Sequence, residues 1–68
     1  MTAPKTYGAH ALGEKVRDTA TGIDGTFIAV TLWHDRSDEV AILRDGLNPD
    51  GLPWEIHWFP ASRLQGAS

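Results

Sequence analysis

Two glycines bracket a short segment near the start of the chain, and they constrain the fold more than any other feature. In Thr21-Gly22-Ile23-Asp24-Gly25-Thr26, each glycine suits a positive φ angle or a close approach between backbones. The run from Thr26 to Trp33 is rich in β-branched and aromatic residues, which favours a long strand. The run from Leu12 to Asp18 predicts a shorter strand before the glycines, with Leu12 and Val16 facing inward.

Two further strand-like runs follow, separated by a loop. Glu39 to Arg44 predicts a third strand antiparallel to the second, and Trp54 to Phe59 predicts a fourth. Alternation along the fourth strand places its bulky apolar residues on one face, namely Trp54, Ile56 and Trp58. Asp45 to Pro53 holds two glycines and two prolines, which predicts a loop in which Pro49-Asp50-Gly51 forms a β-turn with proline second.

The end of the chain carries a turn and a last strand. Pro60 ends the fourth strand because proline has no N–H to donate to a ladder. Pro60 to Ser62 predicts one tight helical turn, and Arg63 to Gln65 predicts a short fifth strand. We therefore predict an all-β fold: a small five-stranded antiparallel barrel spanning residues 12–65, with a flexible arm over 1–11 and a frayed terminus over 66–68.

Length and charge limit the possible functions. A chain of 68 residues buries only about 60% of the surface that its unfolded form exposes, so small domains often depend on disulfides, metals or self-association. Disulfides are excluded here because the chain has no cysteine. The net charge of −3 argues against a protein that binds nucleic acid mainly through phosphates. No apolar run approaches the ~20 residues of a membrane span.

The strand order and motifs resemble the Src-homology-3-like small barrels, including the KOW and Tudor types. Within that group the chain is most similar to small proteins of tailed phages and prophages, whose pattern it matches through Gly13-Glu14-Lys15-Val16-Arg17-Asp18, Thr21-Gly22, Gly25, Asp50-Gly51, Trp58-Phe59 and Arg63-Leu64. Ile23 stands where that pattern has phenylalanine. The resemblance implies a barrel that works in the bacterial cytoplasm or in a virion, and it brings no catalytic residue with it.

The three tryptophans are the strongest candidates for function. We expect Trp58 and Trp54 to contribute to the core, and Trp33, which lies beside a charged turn, to be the most exposed. Exposed aromatic residues next to charges are typical of interaction sites. The predicted partner-binding residues, all near loop ends, are Trp33, His34, Asp35, Arg36 and Trp54.

Other chemistry finds little support in the sequence. His34, Asp35, Asp38 and Glu39 form a polar turn better explained by solvation than by a metal, and no catalytic group or cofactor motif is recognised. The leading hypothesis is therefore a non-enzymatic module that binds a protein or assembles with itself as a homo-oligomer. The alternatives are a KOW-type nucleic-acid-binding barrel using Lys15, Arg17 and Arg63, a virion structural or assembly component, and an inhibitor of a host protein.

Overall fold

A computed structural model describes residues 5–67, which form seven strands and one 3-10 turn. Two strands form an amino-terminal hairpin, and the other five form a single antiparallel sheet in the order β6-β5-β4-β3-β7. The prediction of a mostly antiparallel all-β fold is therefore confirmed. The strands are β1 (Thr6–Tyr7), β2 (His10–Ala11), β3 (Lys15–Asp18), β4 (Asp24–Thr31), β5 (Glu39–Leu43), β6 (His57–Pro60) and β7 (Leu64–Gly66), with the 3-10 turn at Ala61–Arg63.

The centre of the sheet is a meander of β3, β4 and β5. The register of β4 on β5 shifts between Phe27 and Ala29, so that Ile28 is an extra residue in β4. Such a bulge bends its strand and increases the local twist. It also moves the inward positions from Phe27, which pairs with Ile42, to Val30, which pairs with Val40. This shift explains why both faces of the β4 sequence are apolar.

The two predicted glycine roles are both present at the β3–β4 connection. Gly22 has a φ of +74°, and its N–H donates to the carbonyl of Asp18 at 2.7 Å, which closes the turn. Gly25 is buried in β4, where a Cβ atom would lie only 2.6 Å from the carbonyl oxygen of Leu43. Each position therefore requires glycine, one for its backbone angle and the other for space.

The sheet has two edges, β6 and β7, and no hydrogen-bonded ladder joins them within residues 5–67. The last strand turns back to pair with β3, matching Asp18 with Leu64 and Val16 with Gly66. The 3-10 turn between β6 and β7 confirms the turn expected before the last strand. The turn in the β5–β6 loop is also present, since Gly51 N donates to Asn48 O at 2.9 Å across Pro49 and Asp50.

The core lies on one face of the curved sheet. Its fully buried side chains come from four strands, and they are Val16, Phe27, Val40, Ile42 and Phe59. Partly buried neighbours pack around this cluster: Tyr7, Leu12, Ile23, Val30, Ala61 and Leu64. The inward prediction for Val16 is correct, whereas Leu12 precedes β3 and reaches the core from a turn.

The predicted inner face of the fourth strand is wrong. Trp58 is 45% exposed and Ile56 is 49% exposed, while Phe59 is 1% exposed. Phe59 pairs with Val40, a core residue, so odd-numbered positions of β6 face inward and Trp58 faces outward. In addition, Trp54 to Ile56 lie outside the strand, which begins at His57.

The amino-terminal hairpin lies in the segment that the sequence suggested was an arm. Tyr7 packs against the core, and its hydroxyl donates to Asp38 Oδ2 at 2.5 Å. Leu12 N donates to the carbonyl of Lys5 at 2.8 Å beside the hairpin. Residues 1–4 of the predicted arm, and Ser68 of the predicted frayed end, lie outside the described residues.

Candidate functional site

A buried carboxylate joins the two edges of the sheet. Asp18, the last residue of β3, has no exposed surface, yet it is charged. Its oxygens accept hydrogen bonds from Arg63 Nε at 2.9 Å and Arg63 Nη2 at 2.6 Å, and from the Ala20 N–H at 3.0 Å. His57 Nε2 lies 2.8 Å from Asp18 Oδ2. Because His57 begins β6 and Arg63 precedes β7, this cluster links strands that share no backbone ladder.

Arg63 and His57 also cover the core, because both lie over the ring of Phe59. The His57 ring stacks on Phe59 with centroids 5.3 Å apart, and the Arg63 guanidinium lies 5.9 Å from the same ring. The hydrogen bonds from Arg63 are the main cause that holds the pKa of Asp18 far below its usual range, against the opposing effect of burial. Asp18 therefore stays ionised, and we assign this cluster a structural role.

Acid is expected to destabilise the protein because folding lowers the pKa of Asp18. A carboxyl group whose folded pKa is depressed contributes stability above its unfolded pKa of about 3.9, and this contribution is lost as the pH falls. We expect the urea midpoint to decrease steadily from pH 5 downward. Asp24→Asn, which removes only an exposed pair with Arg17, is the control and should retain most of this pH dependence. A wild-type midpoint that stays flat through this range would contradict the expectation.

The predicted loop residues Trp33 to Arg36 lie together after β4. Trp33 is 43% exposed, so it is not the most exposed tryptophan, because Trp58 is 45% exposed. Its Nε1–H donates to Glu39 Oε1 at 3.0 Å. The Arg36 guanidinium lies 4.8 Å from the Trp33 ring centroid and donates to Asp35 at 3.2 Å. That pairing lowers the pKa of Asp35. His34 is exposed in the same loop.

Trp54 does not join those residues. It lies beyond the other end of the β4–β5 hairpin, next to Arg44, whose guanidinium is 4.3 Å from the Trp54 ring centroid. The length of β5 separates the two places, and five residues of strand span about 17 Å. Trp54 lines an open cleft of about 370 Å³, together with Ile23, Arg44, Asn48, Glu55, Ile56 and His57.

Each cation predicted for nucleic-acid binding has a carboxylate partner. Lys15 Nζ pairs with Asp45 at 2.5 Å, and Arg17 pairs with Asp24 through hydrogen bonds of 2.5 and 3.1 Å. Arg63 is the partner of the buried Asp18. The three side chains therefore present little unbalanced positive charge, which argues against a phosphate-binding surface formed by them.

The outward face of β5 and β6 carries exposed apolar side chains, one of which, Trp58, was expected in the core. Leu43 on β5 is 39% exposed, and Trp58 on β6 is 45% exposed. Between them in the alternation lies Ala41, which pairs with Trp58. Ala41 itself is buried, so we call Leu43 and Trp58 the outer apolar face. Its signal in the sequence is the alternation of β5, where Ala41 and Leu43 oppose the core residues Val40 and Ile42.

Comparison with known proteins leaves these geometric features as the basis for a functional argument. No protein-family model, curated protein or solved structure matches this chain. Within residues 5–67, no group of three or more His, Asp or Glu residues is arranged to hold a metal ion. None of the helical structure in the described part of the chain is long and apolar enough to cross a membrane.

Proposed function

We propose that the protein is a non-enzymatic interaction module that assembles with itself through the outer apolar face. The observation that carries this proposal is the outward orientation of Trp58 on an edge strand of the sheet. A half-exposed tryptophan held on a strand is a preorganised anchor of the kind that contributes most to protein interfaces. Leu43, which is 39% exposed on the neighbouring strand β5, adds apolar surface without adding charge.

The small size of the core supports a second copy as the partner. Within residues 5–67, six apolar side chains are buried, whereas seven large apolar side chains are exposed. A domain with so small a core and no cysteine has little else to stabilise it. Covering Trp58 and Leu43 in an assembly would increase the buried apolar area, which is small in the single chain.

The edge position of β6 suits a symmetric contact. An edge strand presents unpaired backbone groups, and an antiparallel copy of the same strand can satisfy them. A two-fold axis makes such a contact self-complementary, so one face serves both copies. Pro60 limits the ladder at one end of β6, which favours a short contact centred on Trp58.

The proposed fold is a Src-homology-3-like small barrel. It is supported by the strand order β6-β5-β4-β3-β7, the bulge in β4 and the 3-10 turn before a last strand that returns to β3. The cluster around Asp18 would close the barrel through side chains instead of a ladder. The proposed phage or prophage origin, and action in the bacterial cytoplasm or in a virion, depend on the sequence resemblance alone.

A non-enzymatic role agrees with the state of the buried polar group. Within residues 5–67, Asp18 is the one buried polar or charged residue, and its two oxygens are occupied by Arg63, His57 and Ala20 N–H. A carboxylate with a strongly depressed pKa and full hydrogen bonding is a poor general base.

Size-exclusion chromatography with light scattering tests the assembly. We expect the wild-type protein to be a dimer at high micromolar concentration, and Trp58→Glu to be a monomer because a two-fold axis brings the new charge close to its copy. Leu47→Glu is the matched control: Leu47 is 63% exposed but lies in the β5–β6 loop, and this variant should still dimerise. A monomeric wild type at every concentration would refute self-assembly through this face. Circular dichroism checks that each variant is folded.

A further inference from the structure

Arg44 differs from the other arginines of the chain in its partners. Its guanidinium stacks over the Trp54 ring at 4.3 Å, but it forms no ion pair and no side-chain hydrogen bond with any of residues 5–67. Every other arginine pairs with a carboxylate: Arg17 with Asp24, Arg36 with Asp35, and Arg63 with Asp18. The Trp54 ring holds the guanidinium in place, while its N–H groups have no acceptor side chain within residues 5–67.

The cleft beside Arg44 combines this charge with apolar walls. Ile23, which packs against the core, and Ile56, which is 49% exposed, line the cleft together with the Trp54 ring. His57 is fixed in the cleft by its contact with Asp18. The loop on one side is held by its own hydrogen bonds, since Asn48 Oδ1 accepts from the backbone N–H groups of Asp50 at 2.9 Å and Leu52 at 3.0 Å. The cleft is therefore largely preformed.

We propose that this cleft binds the terminal carboxylate of a peptide that ends in an apolar residue. The planar guanidinium edge of Arg44 matches a carboxylate through two parallel N–H···O bonds. The apolar side chain next to that carboxylate would lie against Ile23, Ile56 and the Trp54 ring. This site does not use Trp58 or Leu43, so it is independent of the proposed assembly face.

The charges around the cleft favour a single carboxylate over a polyanion. A nucleic-acid strand needs several cations to neutralise successive phosphates, whereas the cleft contains one arginine and also the exposed Glu55. The net charge of −3 adds further repulsion for a polyanion. One carboxylate with an attached apolar group requires only the one guanidinium and the apolar walls that are present.

A nuclear magnetic resonance titration with two matched probes tests the site. N-acetyl-leucine carries the carboxylate and the apolar side chain, and N-acetyl-leucinamide is the same molecule without the charge. We expect N-acetyl-leucine to shift the Trp54 Nε1–H, the Arg44 Nε–H and the Ile23 and Ile56 methyl signals saturably, with the weak, millimolar-range affinity of a small fragment. The amide should bind at least about tenfold more weakly, as expected for loss of a charge-assisted pair.

Arg44→Gln provides the second arm, with Arg36→Gln as its control. Both arginines lie over a tryptophan ring, but Arg36 is paired with Asp35 and Arg44 has no ion-pair partner within residues 5–67. Arg44→Gln should abolish the response to N-acetyl-leucine, and Arg36→Gln should preserve it. Equal responses to acid and amide, or an undiminished response in folded Arg44→Gln, would overturn the proposal. Stronger perturbation of the same signals by an oligothymidine strand would assign the site to nucleic acid instead.

Discussion

Asp18→Asn is expected to lower the free energy of unfolding by about 3–5 kcal/mol, because breaking a buried ion pair leaves the Arg63 guanidinium without its counter-charge. The amide would place N–H donors where the carboxylate now accepts from Arg63 and His57. The total free energy of unfolding of a 68-residue domain is roughly 3–10 kcal/mol. The variant should therefore lose a third or more of its stability and unfold at a much lower urea concentration, as measured by urea titration with circular dichroism.

Asp24→Asn is the matched control for this effect. Asp24 also accepts two hydrogen bonds from one arginine, Arg17, but about half of each side chain is exposed. Exposed ion pairs contribute little because water screens them and solvates each partner when the other is lost. We expect this variant to unfold at nearly the same urea concentration as the wild type. If Asp18→Asn unfolded at the same urea concentration as Asp24→Asn, the cluster would not hold the sheet edges together.

The connections and central strands could be predicted because local rules determine them. Gly22 needs a positive φ angle, Gly25 needs space against Leu43, and Pro49-Asp50-Gly51 forms the expected turn. The β-branched residues of β4 and β5 predicted two strands, which pair antiparallel as expected, and β6 ends at Pro60. These features depend on backbone geometry, which short stretches of sequence encode directly.

The position of Asp18 shows a signal that sequence reasoning missed. Alternation from Val16 places Asp18 on the inward face of β3, since Arg17 between them is exposed. A carboxylate on an inward face needs a cationic partner, and Arg63 was available before the last strand. The contact between Asp18 and His57 could not be predicted, because it depends on how β6 approaches β3 across the sheet.

The predicted partner-binding residues lie in two places because of the way the β4–β5 hairpin runs. Trp33, His34, Asp35 and Arg36 follow β4, whereas Trp54 follows a long loop from the far end of β5. Both places lie near loop ends, as expected, but they are on opposite ends of the same hairpin. Loop position can be read from sequence, whereas the end of the sheet to which a loop returns depends on strand direction and length.

Phe59→Ala is expected to lower the free energy of unfolding by about 3–5 kcal/mol, because a buried aromatic side chain leaves a cavity that cannot fully collapse. Phe59 is 1% exposed, packs in the core cluster and supports the His57 ring above it. Trp58→Ala removes a larger side chain from the next position, but that side chain is 45% exposed. We expect its effect on the single chain to be much smaller, as measured by urea unfolding.

The comparison of Phe59→Ala with Trp58→Ala tests the register of β6 directly. Alternation of three large apolar residues favoured Trp58 as the inward one, whereas pairing of Phe59 with Val40 and of His57 with Ile42 reverses the faces. Since self-assembly would add a concentration-dependent term, both variants are measured over a range of protein concentrations and compared in the dilute limit. If Trp58→Ala lost more free energy of unfolding than Phe59→Ala in that limit, Trp58 would be the inward residue, and the outer apolar face would not exist.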